Sequence, residues 1–358
     1  MKQIQKINIL CVFAILFAAV PDVRSASSLL WQPRIGDAVS VDILDCNPEF
    51  TSSAKTINLV SASVTRTCEM KIWEPAPDDT TATFYRTFDN EFESIVNIDG
   101  NCVCLYRRTP GYMRRFPQGL PWGMPENIHA CSPVSSIGHA DNITDYHSRG
   151  TLKTTVSGGI TFVGADGDTV ANSVCVEYYA VDTVYYSSAN INLHHGIERQ
   201  FYGPGYRYPL LVCGNDTIFD SDGLVVDVSE NYYSINPKVQ EEDIEDDIVN
   251  EEIRRIVAEE SLYPDNPGHD SHSFNEKNPF PSFITWNTGH NKLIVSNVLG
   301  MNGTAEILLC DIQGRVYHSG AVSASSDSYE MDLSICPPGY YLLYVGSDES
   351  PYLYRFRL

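Results

Sequence analysis

Residue types suited to catalysis or metal binding meet in one short stretch, His194-His195-Gly196-Ile197-Glu198. His and Glu are both ligands that zinc accepts, and here they stand four positions apart. The zinc-peptidase pattern, however, needs two His on one helix, with the Glu beside the first of them. Gly196 interrupts this segment, and its flanks are not helical. The stretch therefore predicts a loop or the end of a strand, without a metal.

Further metal-ligand types occur in a loop-like stretch nearer the N terminus, namely His129, His139, Asp141, Asp145 and His147. Polar residues of surface loops usually bind nothing, and this spacing matches no metal motif. Asp166-Gly167-Asp168 has the opening of a calcium loop but lacks the later acidic ligands, so it predicts a hairpin turn. We expect no metal and no cofactor.

Motifs for nucleophilic catalysis and for phosphate binding are missing from the sequence. Ser157-Gly158-Gly159 lacks the flanking glycine of a Gly-x-Ser-x-Gly elbow, and no phosphate loop or dinucleotide fingerprint is present. Tyrosine pairs occur at Tyr178-Tyr179, Tyr185-Tyr186 and Tyr232-Tyr233. In a strand, one ring of each pair points inward and the other outward. Outward rings could stack on a glycan or peptide ligand, and ordinary strand packing is the alternative.

Charge and composition narrow the protein's class. The formal net charge is −22, and no basic footprint is available for a nucleic-acid partner. The chain is rich in Tyr, Val, Ile and Thr, with Gly and Pro spread throughout, which favours an all-β fold.

The N-terminal residues predict an export signal. Lys2 and Lys6 precede an apolar run over residues 7–20, and Val23-Arg24-Ser25 supplies a cleavage site. This pattern is typical of a secretory signal peptide at residues 1–25. No later stretch is apolar enough for a transmembrane span, so we expect an exported protein.

The rest of the chain divides into three segments. Residues 26–235 predict a β-rich, sandwich-like passenger domain, and residues 283–358 a small immunoglobulin-like sandwich. Between them, residues 236–282 form an acidic stretch followed by a Pro- and Asn-rich linker. The acidic stretch has apolar residues at near-helical spacing: Ile244, Ile248, Ile253, Ile256 and Val257. It is either a helix docked weakly on the passenger or a solvated spacer.

The number and positions of the cysteines do not determine which disulfides form. Nine cysteines follow the signal peptide: Cys46, Cys68, Cys102, Cys104, Cys131, Cys175, Cys213, Cys310 and Cys336. An odd number cannot all pair within one chain, and several lie in apolar strand-like runs. We expect mostly core thiols, with one or two disulfides that cannot be assigned.

The last segment resembles a known export domain. Residues 305–316 read AEILLCDIQGRV, and residues 333–345 read LSICPPGYYLLYV. Both are similar to the type A C-terminal sorting domain of cargo proteins of the Bacteroidetes type IX secretion system. The resemblance places motif positions at Asp311, Gly314, Arg315, Gly339, Tyr341, Arg355 and Arg357. It implies that the secretion machinery is a partner, and that the chain crosses the periplasm to the cell surface or medium.

The passenger has a fainter resemblance to secreted Bacteroides and Prevotella proteins that carry the same terminal domain. It rests on residues 30–37, on residues 116–123 and on Gly205-Tyr206-Arg207-Tyr208-Pro209, and it brings no activity with it. We therefore expect a non-catalytic binding or surface protein. The alternative is an extracellular hydrolase acting on glycan or protein.

The cleavage pattern gives a first prediction. N-terminal sequencing of secreted protein should return Ala26, or Ser27 if cleavage follows Ala26, because small residues stand at the cut. Recovery of Met1 on secreted material would contradict the signal peptide.

Overall fold

The structure is a computed structural model, and it describes residues 33–45, 55–98, 101–123, 131–140, 143–187, 190–243, 248–262, 284–287, 291–296, 304–311, 316–323, 328–346 and 352–358. These residues are mostly strand, which confirms the all-β fold class. Residues 1–25, which we predict to be a signal peptide, Gly314, Arg315 and the predicted linker at 263–282 lie outside the described residues.

Thirteen strands make up the first sheet. They are β1 (Ala38–Leu44), β2 (Thr56–Asn58), β3 (Val64–Trp73), β4 (Phe84–Phe88), β5 (Glu91–Ile98), β6 (Asn101–Thr109), β7 (Tyr112–Pro121), β8 (Cys131–Ala140), β9 (Ile143–Val163), β10 (Thr169–Ser187), β11 (Asn190–Tyr202), β12 (Leu211–Phe219) and β13 (Val225–Ser234). Most neighbours in the sheet are also neighbours in sequence, joined as antiparallel hairpins.

Twelve of these strands close on themselves. The order runs from β10 through β11, β12, β13, β1 and β3 to β9, and β9 pairs with β10 again. Strand β2 adds to β9 in parallel, outside this ring. The sequence suggested a sandwich-like arrangement here, but the described strands form one closed sheet instead of two stacked sheets. Closure leaves one set of alternate side chains inside, where they share a common interior.

Two helices follow the closed sheet: α1 (Pro237–Asp243) and α2 (Ile248–Leu262). Four apolar residues of α2 are buried at helical spacing, namely Val249, Ile253, Ile256 and Val257. Of the two alternatives for the acidic stretch, the helix is therefore the one observed at 248–262. No helix in the described ranges has the length and apolar character of a membrane span.

The C-terminal part has two smaller sheets. One contains β14 (Ile284–Asn287), β15 (Lys292–Ser296) and β18 (Ser328–Asp332). The other contains β16 (Thr304–Asp311), β17 (Val316–Ser323), β19 (Tyr340–Gly346) and β20 (Tyr352–Arg357). Their facing side chains form one core, to which Leu293 and Val295 contribute from the first sheet, and Ile307 and Leu309 from the second.

Helix α2 covers the other face of the four-stranded sheet. Its buried residues pack on Leu308 and Cys310 of β16 and on Leu342 and Tyr344 of β19. Because successive residues of a strand point to opposite faces, burial on both faces explains the unbroken apolar runs in β16 and β19. On its other side, Arg254 of α2 donates to the carbonyl oxygen of Gly205 at 2.6 Å. The helix thus contacts both parts of the chain.

The described positions of the sorting-type motif lie in or beside the four-stranded sheet. Asp311 is buried at the end of β16 and accepts a hydrogen bond from Tyr317. Gly339 exchanges two backbone hydrogen bonds with Leu358, which holds the last residue against the sheet. Tyr341 is buried, and its hydroxyl donates to the carbonyl oxygen of Pro337 at 2.5 Å. The guanidinium groups of Arg355 and Arg357 lie 4.8 and 5.5 Å from the Tyr340 ring centroid.

Eight cysteines are described, and all are free thiols. Five of them are buried, as expected of core thiols, and burial raises the pKa of each above the ordinary value: Cys102, Cys104, Cys175, Cys213 and Cys310. Cys46 lies outside the described residues.

The position of α2 gives a second prediction. Ile253→Ala should lower the free energy of unfolding by about 2–4 kcal/mol, because it leaves a cavity between the helix and the four-stranded sheet. Glu251→Ala is the matched control, since Glu251 is exposed on the same helix and Ala favours helix. Urea denaturation measures both variants, and equal effects would show that the helix is not docked.

Candidate functional site

An internal cavity of about 210 Å³ lies inside the closed sheet. Its wall is built from inward-facing residues of many strands and from the connection between β11 and β12. The polar and charged residues that line it are Arg86, Glu91, Arg107, Arg114, Asp182, His194, Glu198, Gln200, Arg207, Asp216 and Asn231. Such a concentration of charge inside a sheet is costly unless each group has a partner.

Glu93 is the centre of a first cluster beside this cavity. Its carboxylate is fully buried and forms ion pairs at 2.7 Å with Arg86 and with Arg107, and it accepts a hydrogen bond from Trp122 at 2.9 Å. Burial acts to raise the pKa of Glu93, but the two guanidinium groups outweigh it, and the pKa lies below its usual value. Arg86 also donates to Glu91 at 2.8 Å. Both arginines are therefore already neutralised.

Glu198 faces the same cavity but has a different environment. Gln200 donates to it at 2.5 Å, and Tyr202 donates in turn to Gln200 at 2.7 Å. Burial raises the pKa of Glu198, and the more distant Arg107 only partly offsets this. Glu198 and Glu93 thus have pKa values shifted in opposite directions.

A second cluster surrounds Asp182, which is 2% exposed. His194 lies between Asp182 and Asp216, with its ring nitrogens 2.6 and 3.1 Å from their oxygens. Arg114 lies 3.5 Å from the other oxygen of Asp182, Oδ2, and donates to Ser136 at 2.8 Å. The cluster joins β7, β8, β10, β11 and β12 across the interior.

The pKa values of this cluster favour its charged form. Burial acts to lower the pKa of His194, but hydrogen bonds to Asp182 and Asp216 outweigh it and raise the pKa to about 9. Burial likewise acts to raise the pKa of Asp182, and the bond and charge of His194 bring it below the usual value. At neutral pH the cluster holds a cationic imidazole between two carboxylates.

The Oδ2 oxygen of Asp182 has an incomplete set of partners. Among the described residues, no donor makes a hydrogen bond of normal geometry to it. Gly196 also lines the cavity, and a Cβ there would stand 2.5 Å from Asp216 and 3.4 Å from His194, so the strands can pack this closely around the cluster only with glycine at this position.

The connection between β11 and β12 closes the cavity near Tyr208. Asp37 accepts hydrogen bonds from Arg207 at 2.8 Å and from Tyr208 at 2.7 Å, and all three residues are buried. Gln240 of α1 bonds both the N–H and the carbonyl of Tyr208. Three stretches of the faint N-terminal resemblance therefore meet around the cavity: Asp37, Trp122 and residues 205–209.

His194 and Glu198 do not lie in a loop or at a strand end, as the sequence suggested. Both belong to the middle and later part of β11, and both face the cavity. Tight pairing with β10 and β12 overrides the low strand propensity of Gly196. Among the described residues, no group of three or more His, Cys, Asp or Glu side chains could hold a metal ion.

The other residues considered for metal binding are spread out. His139 pairs with Asp145 at 2.8 Å on the exposed surface, and the His147 ring stacks on Tyr185. His129 and Asp141 lie outside the described residues. The predicted turn at Asp166-Gly167-Asp168 joins β9 to β10. Its two carboxylates pair with Lys238.

The tyrosine pairs alternate as expected but differ in exposure. Tyr178 lines the cavity, while Tyr179 lies against His195 outside it. Tyr232 and Tyr233 are both buried, in two separate cores on opposite faces of β13. Among the tyrosines of these pairs, Tyr178 and Tyr233 line the cavity.

Comparison of the chain with models of protein families, with curated proteins and with solved structures finds no match in any of the three.

The charged cluster gives a third prediction, on pH dependence. The folded-state pKa of His194 is about 9 and the ordinary value is 6.5, so its stabilisation is complete below pH 6.5 and is lost as pH rises through 9. The loss should approach about 3 kcal/mol at most. Urea denaturation at pH 6 and pH 9.5 measures it. His194→Gln should remove most of this pH dependence, and an unchanged pH profile in the variant would contradict the assignment.

Proposed function

We propose that the protein is an exported binding protein whose passenger holds a small polar ligand inside its closed sheet. The observation that carries the proposal is the buried Oδ2 of Asp182, an ionised acceptor without a normal hydrogen bond among the described residues. The cationic neighbour of this oxygen, Arg114, lies 3.5 Å away, so the oxygen is incompletely satisfied, and a ligand that donates to it adds a hydrogen bond. A cavity with a few convergent polar groups is the usual form of a ligand site.

We favour binding over catalysis because the charges are held by one another. The carboxylate of Glu93 is occupied by Arg86, Arg107 and Trp122, which leaves it no free oxygen to act as a nucleophile or base. One observation favours the hydrolase alternative: Glu198 has a raised pKa and lies near Glu93, whose pKa is lowered. A turnover screen on glycan and peptide substrates tests it, with Glu198→Gln as the variant that should abolish hydrolysis.

We also propose that residues 283–358 are the targeting signal for a type IX-like secretion route. The support is the sequence resemblance described above, together with the position of the described motif residues in one folded unit. On this proposal the secretion machinery recognises the C-terminal unit after the chain has reached the periplasm. The protein then reaches the cell surface or the medium.

Deletion of Tyr352–Leu358 tests the export route and is the fourth prediction. It removes β20, exposes the hydrogen-bonding edge of β19 and takes Phe356 out of the core. Loss of this surface should exceed the few kcal/mol that so small a unit has to spare. The truncated chain should cross the inner membrane and stay in the periplasm.

The matched control is Tyr352→Ser, which changes an exposed ring of β20 and leaves the core intact. Cell fractionation should find this variant outside the cell at the level of the unaltered protein. Equal external levels of the truncated and unaltered chains would contradict the export proposal. Because α2 packs on β16 and β19, the thermal melt of the truncated chain should be recorded as well.

A further inference from the structure

Three groups of paired charges surround the cavity, and Glu198, which also lines it, accepts a hydrogen bond from Gln200 and has a pKa raised by burial, which favours its neutral form. Arg207 is paired with Asp37, and Arg86 and Arg107 are paired with Glu91 and Glu93. Arg114 and the cationic His194 face Asp182 and Asp216. A ligand with a net charge would leave one of these groups without its counter-ion, at a cost that rises in a dry interior.

The groups next to Asp182 offer both kinds of hydrogen bond. Its Oδ2 atom can only accept, because the carboxylate is ionised, and Arg114 beside it can only donate. Neighbouring hydroxyl groups on a ring can donate to the carboxylate and accept from the guanidinium at the same time. Bonds to charged groups of this kind are shorter and stronger than neutral ones.

Apolar side chains line the cavity below this polar cluster. Phe116, Val134, Leu152 and Ala180 belong to adjacent strands β7 to β10, and all four line the cavity. A surface of this type suits the C–H face of a sugar ring, whose hydroxyl edge would then meet Asp182 and Arg114. The volume of about 210 Å³ corresponds to roughly seven water molecules, which is room for one such ring.

We propose that the cavity binds one neutral sugar unit, with Asp182 and Arg114 holding two neighbouring hydroxyl groups. This inference rests on the proposed function, because it names the ligand class of the same cavity. Amino acids, polyamines and uronic acids are the competing small ligands. Each carries at least one ionic group that would have to be desolvated among charges that are already largely paired.

The test uses the full mature chain and isothermal titration with four sets of probes: neutral hexoses and pentoses, hexuronic acids, free amino acids, and polyamines. At least one neutral sugar should bind saturably. Asp182→Asn should weaken that binding about ten- to a hundredfold, because one charge-assisted hydrogen bond is lost. Asp227→Asn is the matched control on exposed β13, and it should leave binding unchanged.

Gly214→Leu is a second variant that leaves all the charges in place. A Cβ at Gly214 would meet Asn231 only at ordinary contact distances of 3.6 and 3.7 Å, and Gly214 lines the cavity, so we expect the leucine side chain to extend into the cavity. It should abolish sugar binding without a lower thermal midpoint. Gly214→Leu therefore tests whether the ligand occupies the cavity without changing the Asp182 cluster.

The outcomes distinguish this inference from the proposed function. Binding of amino acids, polyamines or uronic acids alone, weakened by Gly214→Leu, would overturn the sugar assignment and keep the cavity as a ligand site. Sugar binding that neither variant weakens would place it elsewhere on the protein and overturn the inference. No binding in any of the four sets would overturn both.

Discussion

Closure of the twelve-stranded sheet is the constraint on which the rest of the passenger depends. A strand with one face in water can place a charge there at no cost, but β9 and β10 complete a ring and bury inward residues such as Glu93 and Asp182. Charged residues at inward positions must then find partners across the interior. Glu93 finds Arg86 and Arg107, and Asp182 finds His194, each at 2.6 to 2.7 Å. Their pKa shifts follow from this enclosure.

The acidic helix α2 has a similar role between the two parts of the chain. Its apolar side covers β16 and β19, while Arg254 reaches the carbonyl of Gly205 and lies 5.5 Å from the Tyr206 ring. Gly205 has a positive φ of 77°, and a Cβ there would stand 2.6 Å from the Asn250 backbone oxygen. The close approach needs glycine. The segment that lines the cavity near Tyr208 is therefore held by the same helix that covers the C-terminal sheet.

Local patterns in the sequence were enough for several strands and for the helix, but not for the middle of β11, where a loop or a strand end was expected. Alternation along residues 174–184 indicates a strand, and the spacing of Ile253, Ile256 and Val257 indicates a helix. Closure could not be predicted, because the pairing of β13 with β1 joins residues nearly two hundred positions apart. For the same reason Asp182 and Arg114 could not be recognised as neighbours. The sequence did contain one signal, the alternation of side chains along a strand. Asp182 is an even number of positions from Tyr178 and Ala180 and therefore shares the inward face of β10 with them.

The buried ion pairs around the cavity are not required to stabilise the fold. A buried ion pair can often be replaced by apolar side chains of similar volume with little loss, because desolvation cancels much of the attraction. Both oxygens of Glu93 have cationic partners, so a structural role is enough to explain this cluster. The cluster around Asp182 is different, because His194 bonds one carboxylate oxygen at 2.6 Å, while the other has no hydrogen bond of normal geometry among the described residues and lies 3.5 Å from Arg114. A ligand hydroxyl would add a hydrogen bond to this oxygen. That difference between the two clusters is the reason for proposing a ligand beside Asp182 and not beside Glu93.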